Sequence, residues 1–382
     1  MNRWFTPDEY SARHARAAES MRRDGLDALL VTAESNVYYF SGHRPVVPWS
    51  TMTRPTFCLI PASGEPVLIV HKVWLGGAVA DSPLRDIRDF TEMEQLPASS
   101  LVDSLSDRGL TKARIGCELG YEQRMGMSFR DFSALQAALP GVDWVDGANA
   151  LWQLRMIKSP AEIDLMRRAC EINASAFDTC YSKLGPGMTE SELASSFQAA
   201  IAADGAEFGF MTPAFVPEAY QTMSRMPASN TLRPGTLIWT DLGAVYGGYW
   251  SDFGRAAVIG KATDSQRRLW ESVHHVTQAG VETVRAGCAI PEIVEACHKA
   301  SGRLGLEMNF AAGRIGHGLG LTLTEPPHMA PYDKQILQSG MVITLEPGIV
   351  SSEGVYIVEQ DVLVTDTGAE VLSNSRWQLW EI

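Results

Sequence analysis

Short apolar runs separated by glycine, proline and serine mark the first part of the chain. ALLVT at 28–32, FCLIP at 57–61 and PVLIVH at 66–71 have the length and composition of strands. Residues 97–108 and 128–139 instead repeat their apolar positions at helical spacing. The chain opens on a helix start in which Thr6, Pro7 and Glu9 make a capping-box pattern with proline at the first helical position. Strands alternating with helices predict a mixed α/β unit over residues 1–150. SPAEIDLMRRACEINASAFDTC then carries a second capping box at Ser159, Pro160 and Glu162, followed by a long amphipathic helix that stops before Gly185, Pro186 and Gly187. Further helix starts, at Thr189 with Glu192 and at Thr263 with Gln266, bracket a β-rich block and predict a second, α+β domain over residues 151–382.

Length agrees with two domains, since 382 residues exceed the ~250 at which a single core stops growing. With 45% hydrophobic and 20% charged residues the composition is globular, and no apolar run nears the ~18 residues of a membrane span, so no membrane partner is expected. The opening MNRWFTPDEYSARHARAAES has no apolar core of the signal-peptide kind, which predicts a cytoplasmic location. Cys58, Cys117, Cys170, Cys180, Cys288 and Cys297 show no CxxC spacing and are expected to be reduced, mostly buried thiols. A net charge of -13 without clustered Lys and Arg argues against a nucleic-acid partner, and it is compatible with carboxylates that store charge for metal ions.

The chemistry concentrates in the second domain. TLIWTDLGAVYGGYWSDFGRAAVIG reads as two strands folded about Gly247 and Gly248. A turn centred midway between Asp241 and Asp252 sets those two residues directly opposite, with Cβ atoms ~5 Å apart. Like charges so placed destabilise a strand pair unless one is protonated or a cation lies between them. Glu346 and Glu359 repeat the arrangement about the turn Ser351-Ser352-Glu353-Gly354, with Pro347-Gly348 interrupting the first strand. Between the pairs, GRIGHGLGL presents His317 among Gly316, Gly318 and Gly320, where the backbone can approach a bound group closely. A single Asp in a hairpin is usually a turn or surface residue, and a single His is usually a satisfied core side chain. It is the constellation of four carboxylates and one imidazole that marks a site. Its mainly hard oxygen donors suit Mn, Co, Fe or Zn, and its four negative charges balance two divalent ions.

These blocks resemble the creatinase/prolidase/methionine-aminopeptidase family (M24, the "pita-bread" enzymes), which includes Xaa-Pro dipeptidases and aminopeptidases. The resemblance spans essentially the whole chain. LRMIKSPAEIDLMRRA is similar to the family's domain-joining segment and GPGMTESELA to its next helix start. TDLGAVYGGYWSDFGRAA, GHGLGL, LEPGI and VEQDVLV are similar to its metal-binding blocks, in the family's order. The resemblance implies a C-terminal pita-bread domain, a curved antiparallel sheet covered by helices, after a smaller creatinase-like α/β domain. It implies that Asp241, Asp252, His317, Glu346 and Glu359 bind two divalent metal ions, with Asp252 and Glu359 bridging, and that the protein is a homodimer. Three accessory histidines and one arginine of the peptidase members stand here as Ser224, Gly313, Thr324 and Ile357. In the family those groups hold the peptide carbonyl, stabilise the tetrahedral intermediate or grip a carboxylate.

Two ions sharing a water suit attack on an amide-type carbonyl. Glu346 or Glu325 is then the candidate proton shuttle, Thr324 a donor to an oxyanion, and His328 a replacement for a lost histidine. His274 and His275, adjacent in a helix, read as structural. Phe208, Phe210, Met211, Phe215, Tyr220, Met223 and Met226 read as an apolar pocket wall or as a face for an alkylated cationic head group, which Trp49 and Arg54 would help to close. The leading expectation is a dinuclear hydrolase of C–N bonds, of Xaa-Pro dipeptidase or aminopeptidase type, acting on a small peptide. The alternatives are an enzyme for a small zwitterionic substrate (creatinase-, ectoine hydrolase- or sulfonium-lyase-like) and a non-catalytic binding protein on the same fold.

Overall fold

A computed structural model describes residues 4–44, 55–214, 220, 226–308 and 313–382. Its contacts divide the chain into two compact units, Met1–Arg155 and Met156–Ile382. Ser224, Phe215, Met223, Trp49 and Arg54 lie outside the described residues.

In the first unit the helix Pro7–Asp24 starts where Thr6 Oγ1 accepts the Glu9 N–H, and it ends at Gly25, whose left-handed φ of 66° lets the chain turn away. Strands β1 (Ala28–Val31), β2 (Phe57–Pro61), β3 (Val67–His71), β4 (Asp86–Phe90), β5 (Arg114–Cys117) and β6 (Asp143–Asp146) form one sheet in the order β4-β3-β2-β1-β5-β6. β2 runs antiparallel to both neighbours and the remaining pairs are parallel. Helices Ala98–Ser106 and Phe129–Ala138 pack Leu101, Leu105, Phe132 and Leu135 onto Leu30, Phe57, Leu59 and Ile69. Side chains of this size contribute roughly 1.5–3 kcal/mol each when fully buried.

The second unit holds β7 (Phe208–Ala214), β8 (Leu237–Tyr246), β9 (Tyr249–Val258) and β17 (Trp380–Glu381) in a sheet ordered β17-β9-β8-β7. A second, antiparallel sheet has the order β11-β10-β12-β15-β16, with β10 (His317–Gly318), β11 (Glu325–His328), β12 (Val342–Leu345), β15 (Gln360–Val364) and β16 (Ala369–Val371). β13 (Gly348–Ser351) and β14 (Gly354–Ile357) make a two-stranded ribbon. Helices Pro160–Tyr181, Glu190–Ala203 and Asp264–Thr283 each open on a closed capping box, at Ser159/Glu162, Thr189/Glu192 and Thr263/Gln266.

The Pro160–Tyr181 helix is bolted to the β8–β9 hairpin by buried polar contacts. Tyr181 Oη donates to the Arg255 carbonyl at 3.0 Å, and Tyr249 Oη donates to Glu162 Oε1 at 2.6 Å. Trp270 and Val273 of the Asp264–Thr283 helix pack with Leu237, Trp239, Val258 and Tyr356. His274 stacks on Trp377 with ring centroids 3.6 Å apart, and burial pushes its imidazole down to about 4. All six cysteines are free and buried, and no helix among the described residues is long and apolar enough to cross a membrane.

The aromatic block does not form one wall. Phe208 and Met226 are 51% and 84% exposed, whereas Met211 is buried and Tyr220 sits in the core, its hydroxyl donating to the Leu237 carbonyl at 2.6 Å.

Candidate metal centre

The β8–β9 hairpin closes through a two-residue loop, with Tyr246 opposite Tyr249 and both Gly247 and Gly248 at positive φ (59° and 87°). Such a loop matches the strand twist but needs two residues that tolerate left-handed backbone. It is centred one residue further along than a turn placed midway between the two aspartates. Asp241 therefore faces Gly254, and Asp252 faces Gly243. This corrects the directly opposed pair expected from the sequence. The aspartates are diagonal neighbours on one face, still near enough for each carboxyl to act on the other.

The glutamates behave differently. β12 pairs with β15 and β13 with β14 in one continuous register, so Glu346 faces Glu359 across the unpaired step at Pro347. His317 enters on β10, between two glycines that admit no side chain. A Cβ on Gly316 would stand 2.0 Å from the Thr344 carbonyl oxygen, and one on Gly318 would stand 2.2 Å from that of Pro326. The Gly-His-Gly segment is thus sandwiched between neighbouring backbones, and only the imidazole projects.

His317 Nδ1 lies 2.9 Å from the Gly318 carbonyl and must donate to it, so Nε2 carries the lone pair. That nitrogen faces Asp252 Oδ2 at 3.5 Å and Glu346 Oε1 at 3.9 Å. Burial, reinforced by the charge of Arg314, pushes the imidazole down to about 3, so the ring stays neutral at ordinary pH. Asp252, His317 and Glu359 each offer a ligand atom, all within 4.8 Å of one another.

Burial pushes the Asp241 carboxyl up to about 6. It pushes Glu346 up to about 7, with Asp241 adding to the effect and Arg314 opposing it. Asp252 and Glu359 are held well above the ordinary carboxylate range by burial first and then by neighbouring carboxylates, Asp241 foremost for Asp252 and Asp252 foremost for Glu359. Asp241 Oδ1 and Asp252 Oδ1 are buried without a hydrogen-bond partner among the described residues. Acceptors facing acceptors in a buried site is the condition that a cation relieves, and oxygen and imidazole donors fit a divalent metal.

Three residues around the centre were not singled out from the sequence. Asp361 accepts the Asp252 N–H at 2.9 Å and the Cys170 thiol at 3.3 Å, and burial pushes its carboxyl up to about 7. Arg255 is fully buried and donates to the carbonyls of Gly254, Glu359, Ser373 and Arg376 and to the side chains of Gln360 and Ser375. Arg314 donates to His328 Nδ1 at 2.6 Å. The available signal was a charged residue inside an apolar strand, as in VEQDVLV and DFGRAAV.

Of the remaining candidates, His328 pairs with His317 across β10 and β11, and Thr324 Oγ1 lies 3.5 Å from Arg314 Nη2. Glu325 turns elsewhere. Its Oε1 accepts from the Thr322 N–H and hydroxyl at 3.0 and 3.1 Å, and its Oε2 faces the buried Lys158 ammonium at 3.6 Å. Ile357 is buried, and Gly313 adopts a left-handed φ of 73°.

A mixed-sheet unit followed by a sheet-and-helix unit that gathers unpaired buried metal donors defines a two-domain metallohydrolase. The chain matches metallopeptidase family M24 over residues 164–366 and the creatinase/prolidase N-terminal domain over residues 13–157. The first match covers just over half of the sequence, and the chain belongs to metallopeptidase family M24, whose members work with divalent metal ions. The Xaa-Pro dipeptidase of Pyrococcus horikoshii is 28% identical over 371 residues, 94% of this chain and 96% of that protein. The solved dipeptidase PepE from Mycobacterium ulcerans superposes with a TM-score of 0.83 at 26% identity, covering 99% of each chain. The Xaa-Pro dipeptidase from Bacillus anthracis shares the fold with a TM-score of 0.85 at 22% identity, covering 98% of this chain and 100% of that one.

Proposed function

We propose that this protein is an Xaa-Pro dipeptidase in which Asp241, Asp252, His317, Glu346 and Glu359 hold two divalent ions. The observation that carries the reading is the unprotonated Nε2 of His317 facing Asp252 and Glu346 oxygens at 3.5 and 3.9 Å in a buried site. The named relatives supply the substrate class. On the family resemblance, Asp252 and Glu359, the more deeply buried of the four carboxylates, would be the ligands common to both ions.

When bound, the ions supply Lewis acidity toward the scissile carbonyl and toward water, and the donor set suits Mn, Co, Fe or Zn. Glu346, whose Oε1 lies 3.9 Å from His317 Nε2 at the centre, would take the proton of the attacking water and return it to the leaving nitrogen. The hydroxyl of that water ends on the acyl carbon and its proton on the amine. Glu325, committed to Thr322 and Lys158, is left out of this transfer. Thr324 and His328, both in contact with Arg314, belong to the substrate-holding side.

We place the enzyme in the cytoplasm, where six free thiols stay reduced. On the family resemblance we read it as a homodimer, so it should sediment at twice the 41.8 kDa of one chain; sedimentation at 41.8 kDa would refute that part. The activity is tested by incubating metal-loaded protein with Xaa-Pro dipeptides, other dipeptides, creatine and a sulfonium zwitterion. Release of proline from Xaa-Pro dipeptides is expected, and turnover of the zwitterions in its place would overturn the dipeptidase reading.

A further inference from the structure

Arg314 is half-buried and stands three residues before His317. Its Nη1 donates to His328 Nδ1 at 2.6 Å, and its Nη2 reaches Thr324 Oγ1 at 3.5 Å. A guanidinium only donates, so Nδ1 of His328 is the acceptor and the proton of that neutral ring sits on Nε2. His317 and His328 are cross-strand partners on antiparallel β10 and β11, which puts both rings on one face of the sheet. The brace therefore holds the guanidinium beside the proposed metal centre, where its charge acts on both His317 and Glu346.

Among the described residues Arg314 forms no ion pair. Its two partners are neutral, and its Nε is buried without an acceptor. Arg255, the other cation at the centre, has its donors taken up by carbonyls and by the side chains of Gln360 and Ser375. At the position of the family's accessory arginine stands the buried, apolar Ile357, which cannot hold an anion. A planar fork of donors with one cationic charge, in no ion pair among the described residues and next to the reacting centre, is a carboxylate receptor.

We propose that Arg314, oriented by His328 and Thr324, grips the free carboxylate of the substrate's leaving residue and so restricts the enzyme to small substrates that end there. The identity of that substrate rests on the dipeptidase reading, whereas the preference for a carboxylate does not.

The test compares metal-loaded wild type, Arg314→Met and Arg314→Lys. KM and kcat are measured on Ala-Pro and Ala-Pro amide, and binding of proline and prolinamide is measured by calorimetry. Wild type should have a KM roughly 10- to 100-fold lower for the acid than for the amide, the worth of charge-assisted hydrogen bonds, and should bind proline in preference to prolinamide. In Arg314→Met both preferences should collapse, and Arg314→Lys, which keeps the charge without the fork, should fall between. Equal KM and binding for acid and amide in wild type, a preference that survives in Arg314→Met, or no binding of either ligand overturns the proposal. Should Arg314→Met lose its metal through misfolding, the same ratios in Arg314→Lys decide. Arg314-dependent proline binding without Xaa-Pro turnover would sink the dipeptidase reading and keep the anchor; turnover without a carboxylate preference would do the reverse.

Discussion

Asp361 carries no ligand role in this account, yet it decides how Asp252 is held. Its carboxylate accepts the backbone N–H of Asp252 and the thiol of Cys170, so it fixes one proposed ligand from behind. Removing such outer partners typically weakens metal affinity or activity ~10- to 100-fold. Asp361→Ala should therefore lose metal affinity by about that factor in a chelator competition titration, while Asp361→Asn, which keeps an acceptor oxygen, should recover most of it. Undiminished affinity in Asp361→Ala would show that the contact is incidental. The raised carboxyls make a second prediction at this scale. Asp241, Glu346 and Asp361 sit at about 6, 7 and 7 in the metal-free fold, above the ordinary carboxylate range, so there the native state keeps protons that the unfolded chain has already released. Their contribution is most favourable below the unfolded value near ~4 and is lost as pH rises through the folded values. Histidines held down by burial, such as His317 at about 3 and His274 at about 4, act in the opposite direction, but only below about 6.5, where the unfolded chain protonates. Metal-free protein should thus lose stability between about pH 6.5 and 8 in urea unfolding, and Mn should flatten the slope by replacing the protons. A metal-free protein that gains stability across that window contradicts the charge assignment.

At the scale of elements, what could be read from the sequence was what is encoded locally. The capping boxes at Ser159, Thr189 and Thr263 lie where their side-chain pattern put them, because a cap depends on residues three apart and little else. The facing of Glu346 and Glu359 was legible too, since the register continues through Pro347. The register of the aspartate hairpin was not, because it turns on Gly247 and Gly248 both adopting left-handed backbone rather than one of the other turns such glycines permit. Arg255, Arg314 and Asp361 were illegible for a different reason: Arg and Asp are ordinary surface residues, and only the burial of Arg255 and Asp361 among distant strands and the contacts of half-buried Arg314 with Thr324 and His328 give these three their roles. The glycines around His317 were read as room for a ligand, whereas they make room for the neighbouring carbonyls of Thr344 and Pro326. Gly316→Ala should accordingly cost more than about 2 kcal/mol in urea unfolding and reduce metal binding with it, because the backbone it meets cannot swing aside as a flexible side chain would. A variant as stable as wild type would mean that β10 can shift without cost.

The whole second unit can be understood as a device for bringing carboxylates together. One sheet contributes Asp241 and Asp252, the other contributes His317, and the break between β12–β15 and β13–β14 contributes Glu346 and Glu359. With Asp361 the centre collects five carboxyls against the two guanidiniums of Arg255 and Arg314, an excess of negative charge in a buried place. Divalent cations would answer it, and the membership in family M24 and the geometry of His317 both point to divalent metal. The most direct test is the metal content of tag-free protein by elemental mass spectrometry after exposure to Mn, Co, Fe or Zn, for wild type and Asp252→Ala, with circular dichroism as a check on folding. About two ions per chain are expected in wild type, with loss of metal from a folded Asp252→Ala. A wild type that takes up no metal, or an Asp252→Ala that keeps the full complement, would contradict that expectation.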